Sequence, residues 1–288
     1  MDIRQIRAAE QVKLLPLLGK CFPVWAKYEN AAVFPVEMTS FAAEEKGIFA
    51  AHCGVVEFTV SDGFGGKIPL GGLASVCTDP DFRHRGLAED LCRAALEYAK
   101  SKKLAGVPLF TSFERVYAKN NWWNYPIFTP KLAKWKIPGA PQEMKKGTAL
   151  SPEEKEKIIA LYETGFDFPG KVFRSRGASK SIFSWQHHFG KFEFSVGENH
   201  YASGGGNVVC ELNGDRESAE EFLLTLPREN DATIFILPEN SPFWSVIAAL
   251  AEVEESDIFF HGPMVIDTDA RALFRSRSDI YFPLADRF

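Results

Sequence analysis

The chain has 288 residues, 45% hydrophobic and 25% charged, a soluble globular balance with length enough for two ordinary domains. Its net charge of −5 excludes a general nucleic-acid or anionic-membrane binder, because both need a basic surface. The five cysteines, at 21, 53, 77, 92 and 210, form no Cys-x-x-Cys pair, so they make neither a disulfide framework nor a zinc site and point to a reducing cytoplasm.

Residues 1–30 read as helical, with breaks near Pro16 and at Phe22-Pro23. Charges run through the apolar part of this stretch, so it is neither a signal peptide nor an anchor, and no run approaches the ~18 apolar residues of a membrane span. Residues 33–36 and 47–52 are candidate strands, and 54–60 alternates as a strand should. Residues 62–66 are rich in Gly and Asp and predict a turn. Residues 67–70 then lead into an apolar run, 73–78, that reads as a buried central strand.

Asp79-Pro80-Asp81 breaks that strand, and Arg83-His84-Arg85-Gly86-Leu87-Ala88 opens a helix with Leu87, Leu91, Ala94, Ala95 and Tyr98 on one face. The first amides of a helix lack intrahelical partners, and the dipole adds positive potential there. Gly86 lets an anion approach the backbone, and Arg83 and Arg85 add planar donors suited to phosphate oxygens. This junction therefore predicts a strand, a loop and a helix whose N-terminus can take a diphosphate. After Gly106, residues 107–113 read as a second strand and 114–122 as a short helix and turn. Strands packed closely before a helical crossover, with a parallel partner after it, predict a mixed sheet flanked by helices.

Residues 127–147 are rich in Pro, Lys and Gly and read as a connection. Ser151-Pro152-Glu153-Glu154 starts a helix to about 163, residues 166–177 are irregular, with Arg174, Arg176 and Lys180 making the region basic, and 181–188 read as a short helix. Strands at 192–196, 207–212 and 233–237, with helices at 216–226 and 241–253, repeat the order of the first half. Asn213 to Glu217 stands where the first half has its arginine-glycine loop, so the second copy is not expected to hold an anion. Ser203-Gly204-Gly205-Gly206 precedes a strand rather than a helix and reads as a hairpin turn. His187-His188 has no third ligand at useful spacing, and no metal is expected. The predicted layout is a first domain over 1–130, a linker over 131–148, and a second domain over 149–288.

Val76-x-Thr78-x-Pro80 followed by Arg83-x-x-Gly86-x-Ala88 resembles the acetyl-CoA motif of the GNAT acyltransferase superfamily. The doubled organisation is similar to the tandem-GNAT acetyltransferases of the enhanced-intracellular-survival type, closely over 47–122 and only in architecture over about 150–255. The chain is too short for the full sterol-carrier-like C-terminal domain usual there. The resemblance implies an α/β (α+β) fold of tandem GNAT-like mixed sheets, with acetyl-CoA as co-substrate. It implies that Val76, Cys77 and Thr78 pair with the pantetheine arm, and that the loop of Arg83, His84, Arg85, Gly86, Leu87 and Ala88 holds the pyrophosphate. Tyr117 matches the tyrosine that protonates the departing thiolate, with Asn121 where Gly is usual and Trp122 as the following aromatic. It also implies that the chain's terminal carboxylate, here on Phe288, can act as base; tandem members of the family are often homo-oligomers, and the sequence leaves the assembly state open.

Acetyl transfer to an amine needs amides near the thioester oxygen, for which Val76 and Cys77 are placed, and a proton acceptor. Glu57, on the strand before the central one, is a candidate water-mediated base, and Glu114 another. Trp122-Trp123-Asn124-Tyr125 either lines an acceptor pocket or caps the sheet. The leading expectation is an N-acetyltransferase acting on a small amine by direct attack. A non-catalytic acyl-CoA-binding regulator and a purely structural module are the alternatives.

Overall fold

The computed structural model describes residues 1–126, 129–137, 144–174, 193–226, 231–257, 262–268 and 273–282. The first half is built on a four-stranded antiparallel sheet of β1 (Asp2–Gln5), β2 (Thr39–Glu45), β3 (Ile48–Ser61) and β4 (Lys67–Thr78), in that order. The two candidate strands at 47–52 and 54–60 are one continuous strand, β3, running through Cys53. Residues 33–36 form no strand; Pro35 cannot donate to a ladder, and Phe34 instead packs its ring 5.4 Å from Trp25. The start of the chain is extended rather than helical, because Ile3 faces the core and β1 pairs with β2 through Asp2↔Glu44 to Gln5↔Phe41.

Helices cover both faces of this sheet. On one side α1 (Leu15–Cys21), between two 3-10 turns, buries Leu15, Leu17 and Leu18 with Trp25, Met38 and Cys77. On the other, α2 (Leu87–Ser101) buries Leu87, Leu91 and Ala95 against Cys53, Val55 and Leu73, as its apolar periodicity predicts.

After α2 come β5 (Gly106–Phe110), α3 (Glu114–Ala118) and β6 (Trp123–Asn124). A strand from far along the chain, β14 (Pro263–Asp267), lies between β5 and β6 and pairs antiparallel with both. The second half holds a seven-stranded sheet that includes β7 (Lys131–Trp135) and β8 (Lys145–Lys146), both inside the stretch read as a connection, at 127–147. Its other members are β9 (Glu193–Val196), β10 (His200–Gly205), β11 (Val208–Gly214), β12 (Ala232–Phe235) and β13 (Ala251–Glu255). The expected turn at 203–206 is the end of β10, and the chain reverses at Gly206-Asn207. The expected helix over 241–253 ends at Leu250, where the chain turns into β13 and pairs with β7.

Helices α4 (Pro152–Thr164), α5 (Arg216–Thr225) and α6 (Trp244–Leu250) flank this sheet, and a short α7 (Leu273–Ser276) follows β14. A capping box at Ser151 and Glu154 opens α4 where the sequence predicts a helix start. The molecule is thus a mixed α/β fold of several sheets flanked by helices. Residues 181–188, including His187-His188, lie outside the described residues.

Candidate active site

The strand order breaks between β4 and β5. A backbone hydrogen bond from Ala105 to Pro69 O (2.8 Å) ties the two at the start of β4, where Gly71 has no side chain to fend off Leu104. Beyond that seam β5 turns its ladder to β14, so among the described residues the edge of β4 towards Thr78 has no ladder partner on the β5 side.

Along that edge β4 carries a bulge. His52 pairs with Cys77 and Gly54 with Ala74, which leaves Ser75 and Val76 opposite the single residue Cys53. Ser75 sits at φ 52°, in the left-handed region that a side chain makes strained. Asp79 donates to Ala50 O across to β3 (2.8 Å), so Val76, of opposite parity, presents its N–H to the other edge. The bulge therefore turns an amide away from β3, towards the edge that β5 leaves unladdered.

The loop that follows is held by its own polar groups. Asp79 accepts from the Asp81 amide (3.0 Å) to cap the 3-10 turn Pro80–Phe82, and Lys20 from α1 grips the same carboxylate (2.7 Å). The Asp79 carboxyl is held below its usual range chiefly by that lysine. Arg83 Nε donates to Thr78 O (3.3 Å), and the Arg85 guanidinium lies over the Phe82 ring, 4.9 Å from its centre. His84 and Gly86 have positive φ (64° and 78°), and Gly86 is the N-cap of α2, with no side chain over its first amides. Arg83, His84, Arg85 and Gly86 are exposed, Leu87 is buried beneath them, and Ala88 is half-buried.

Tyr117 reaches the same region from α3. Its ring packs on the core beneath α2, 6.4 Å from Trp122, whose indole nitrogen donates to Val107 O (2.9 Å). Burial pushes the Tyr117 phenol well up, and the thiols of Cys92, Cys53 and Cys77 act in the same direction. Among the described residues its hydroxyl has no hydrogen-bond partner. Asn121 adopts φ 66°, the conformation for which Gly is usual.

Two other candidates stand apart. Glu57 is exposed and opposite Gly71, about 16 Å down β4 from Val76 at ~3.3 Å per residue. Its carboxylate accepts from the Tyr98 hydroxyl of α2 (2.5 Å). Glu114 accepts from the Asn124 side chain (3.0 Å). Phe288 lies outside the described residues.

The structure adds groups that the sequence did not single out. His52 on β3 is fully buried and bonds Ser75 O through Nδ1 (2.9 Å) and Ser40 Oγ through Nε2 (3.2 Å). Burial pushes its imidazole down to about 4. Its signal in the sequence is a lone histidine on the inward-facing side of an apolar strand. Cys21, at the end of α1, interacts with the Cys77 thiol, which holds Cys21 down to about 7 and, with burial, pushes Cys77 up. Among the described residues no three His, Cys, Asp or Glu side chains are grouped to hold a metal ion, and no helix is long and apolar enough to cross a membrane.

In the second half, β11 and β12 are hydrogen-bonded in parallel at the start of β11, through Val208↔Ile234 and Val209↔Phe235, while β11 itself runs on to Gly214. Past that pairing, Tyr162, Phe166, Phe168 and Tyr281 line a cavity of only 20 Å³.

Residues 2–124 match the family described as acetyltransferase (GNAT) domain. Among curated proteins none matches the sequence. The fold is shared with Eis1 from Mycobacterium abscessus, at TM-score 0.67 and 14% identity over 94% of this chain and 75% of that one. A probable N-acyltransferase from Enterococcus faecalis V583 aligns at TM-score 0.62 and 13% identity, covering 93% and 72% of the two chains. A GCN5-related N-acetyltransferase from Kribbella flavida gives 0.60 and 13%, covering 93% and 73%. The anion-ready loop, the split between β4 and β5 and the family match converge on one stretch: residues 2–124 are a GNAT acetyltransferase domain, and the chain is on that ground an acyltransferase.

Proposed function

We propose that the chain moves an acetyl group from acetyl-CoA to the amine of a small acceptor by direct attack. The observation that carries this is the opening of the β4–β5 seam onto a bulged strand, with an uncapped helix N-terminus and two exposed arginines at its end. In this reading the amides of Gly86, Leu87 and Ala88 take the pyrophosphate, helped by Arg83 and Arg85. The pantetheine arm lies along Val76, Cys77 and Thr78. The thioester carbon then sits near the Val76 amide, whose N–H meets the oxygen as charge grows on it.

The amine attacks that carbon, the C–S bond breaks, and the Tyr117 hydroxyl donates its proton to the departing thiolate. Burial keeps the Tyr117 phenol protonated, so it has a proton to share with the sulfur as the C–S bond lengthens, and solvent returns that proton to the tyrosine afterwards. The ammonium sheds its proton to water at the cleft mouth. Glu57 takes no part, being about 16 Å along the strand from Val76 and already bonded to Tyr98. The net charge of −5 suits a cationic acceptor better than an anionic one.

We read the second half, from about residue 149, as a degenerate copy that supports the first without binding cofactor, because the space beyond the β11–β12 pairing is narrowed by Tyr162, Phe166, Phe168 and Tyr281. Calorimetry with acetyl-CoA, CoA and ATP, followed by thiol release over a panel of amines, tests the reading. Binding of both CoA forms with turnover of at least one amine is expected. Binding without turnover would leave a regulatory acyl-CoA binder, and no heat with either CoA form would remove the proposal.

A further inference from the structure

Ser75 holds a backbone conformation that a serine adopts only when its surroundings impose it. A chain of buried hydrogen bonds imposes it. The Ser75 carbonyl can only accept, so His52 Nδ1 carries the proton of their 2.9 Å bond. His52 Nε2 is then bare and takes the Ser40 hydroxyl proton at 3.2 Å. Ser40 Oγ in turn accepts from the Gln11 amide (3.3 Å), which also donates to Met38 O (2.7 Å). Every donor in this chain points one way, and both Ser40 and His52 are fully buried. Burial also keeps the imidazole neutral, so a single tautomer is present.

A trans peptide is planar, with its C=O and N–H pointing in opposite directions. The group that grips the Ser75 carbonyl on the β3 side therefore sets the direction of the Val76 N–H on the β5 side. We propose that His52 is a positioning residue for acyl transfer, holding the Ser75–Val76 peptide so that its amide aims at the thioester oxygen. This rests on the acetyl-CoA reading above. A histidine that merely filled the core would need no donor aligned on a strained carbonyl, nor a serine and a glutamine arranged to fix its tautomer.

The test uses the full chain with acetyl-CoA carrying carbon-13 at the thioester carbonyl, and needs no knowledge of the acceptor. His52→Asn places an amide N–H where Nδ1–H stood, and His52→Leu fills the space without a donor. Calorimetry measures acetyl-CoA affinity, and infrared difference spectroscopy measures the bound carbonyl stretch. Affinity within about twofold of the parent is expected for both variants, since the pyrophosphate loop is untouched. The red shift of the carbonyl is expected in the parent chain, kept in His52→Asn and lost in His52→Leu. With the best amine of the panel, kcat should fall about 10- to 100-fold in His52→Leu, less than deletion of an oxyanion donor costs, with KM little changed. If His52→Leu fails to fold, Ser40→Ala carries the same test, because it frees Nε2 and hence the tautomer; a reduced red shift is expected. An unshifted carbonyl in the parent, a shift that survives in His52→Leu, or an unaltered shift in Ser40→Ala overturns the proposal while acetyl-CoA binding stands. Absence of binding in the parent instead overturns the cofactor reading.

Discussion

Acidification should destabilise this protein through His52 well above the pH at which carboxylates titrate. The imidazole is fully buried and its pKa is pushed down to about 4, against 6.5 for a free histidine. A base that resists protonation only in the fold adds stability that is complete above pH 6.5 and is lost as pH falls towards 4. At about 1.4 kcal/mol per pH unit the whole gap is worth about 3 kcal/mol, of which about 2 kcal/mol is already gone at pH 5. His200 is also held down by burial and acts in the same sense, so the comparison must isolate His52. Urea denaturation of the parent and of His52→Asn between pH 7.5 and 4.5 does this, because asparagine does not titrate. The stability of the parent should drop between pH 7 and pH 5 by about 2 kcal/mol more than that of the variant. Parallel curves would refute the reasoning, since they would mean that His52 is reached by protons in the native state.

Tyr117→Phe removes the proposed acid without changing the ring, so kcat should fall about 100-fold or more while acetyl-CoA affinity by calorimetry stays the same. Charge reversal of Arg83 and Arg85 should weaken CoA binding at least tenfold at low salt, with the gap narrowing as salt rises; equal affinity would detach the loop from the cofactor. Ser151→Ala breaks the capping box of α4 and should cost about 1 kcal/mol in urea denaturation, without altering CoA affinity.

The site was legible where its determinants are adjacent in the chain. The apolar run to Thr78, the Asp-Pro break, Gly86 at the cap and the Leu87–Leu91–Ala95 stripe each act within a few residues, and all lie where the pattern put them. Tyr117, the proposed acid, was singled out by a resemblance to the family pattern of a tyrosine a few residues before an aromatic. His52, the proposed positioning residue, was not, because its bond depends on a bulge that brings Ser75 O to it from another strand. The pairing of β14 with β5 joins residues more than 150 positions apart, as in Val265↔Pro108, and no local periodicity announces it. The Pro- and Lys-rich composition around β7 hid a strand whose Ala133 and Trp135 are buried, because its order comes from β12 and β13 on either side.

The two halves differ in what lies beside the strand edge where neighbouring strands part. In the first, Leu104 and Gly71 let β5 meet β4 closely at its start, and β14 then draws β5 away, leaving an edge of β4 unpaired at the bulge. In the second, β12 pairs with β11 at Val208 and Val209, and beyond that point buried polar groups satisfy one another. Glu211 accepts from Arg174, Tyr201 and Ser203, and Arg174 stacks on the Tyr162 ring at 3.6 Å. Such a buried charge pair needs all of its partners, so a cofactor could enter only by breaking it. An open strand edge also invites misplaced pairing unless something covers it. In the first half the proposed cofactor would supply that cover, and binding should therefore stabilise the β4 end of the molecule more than any other part of it.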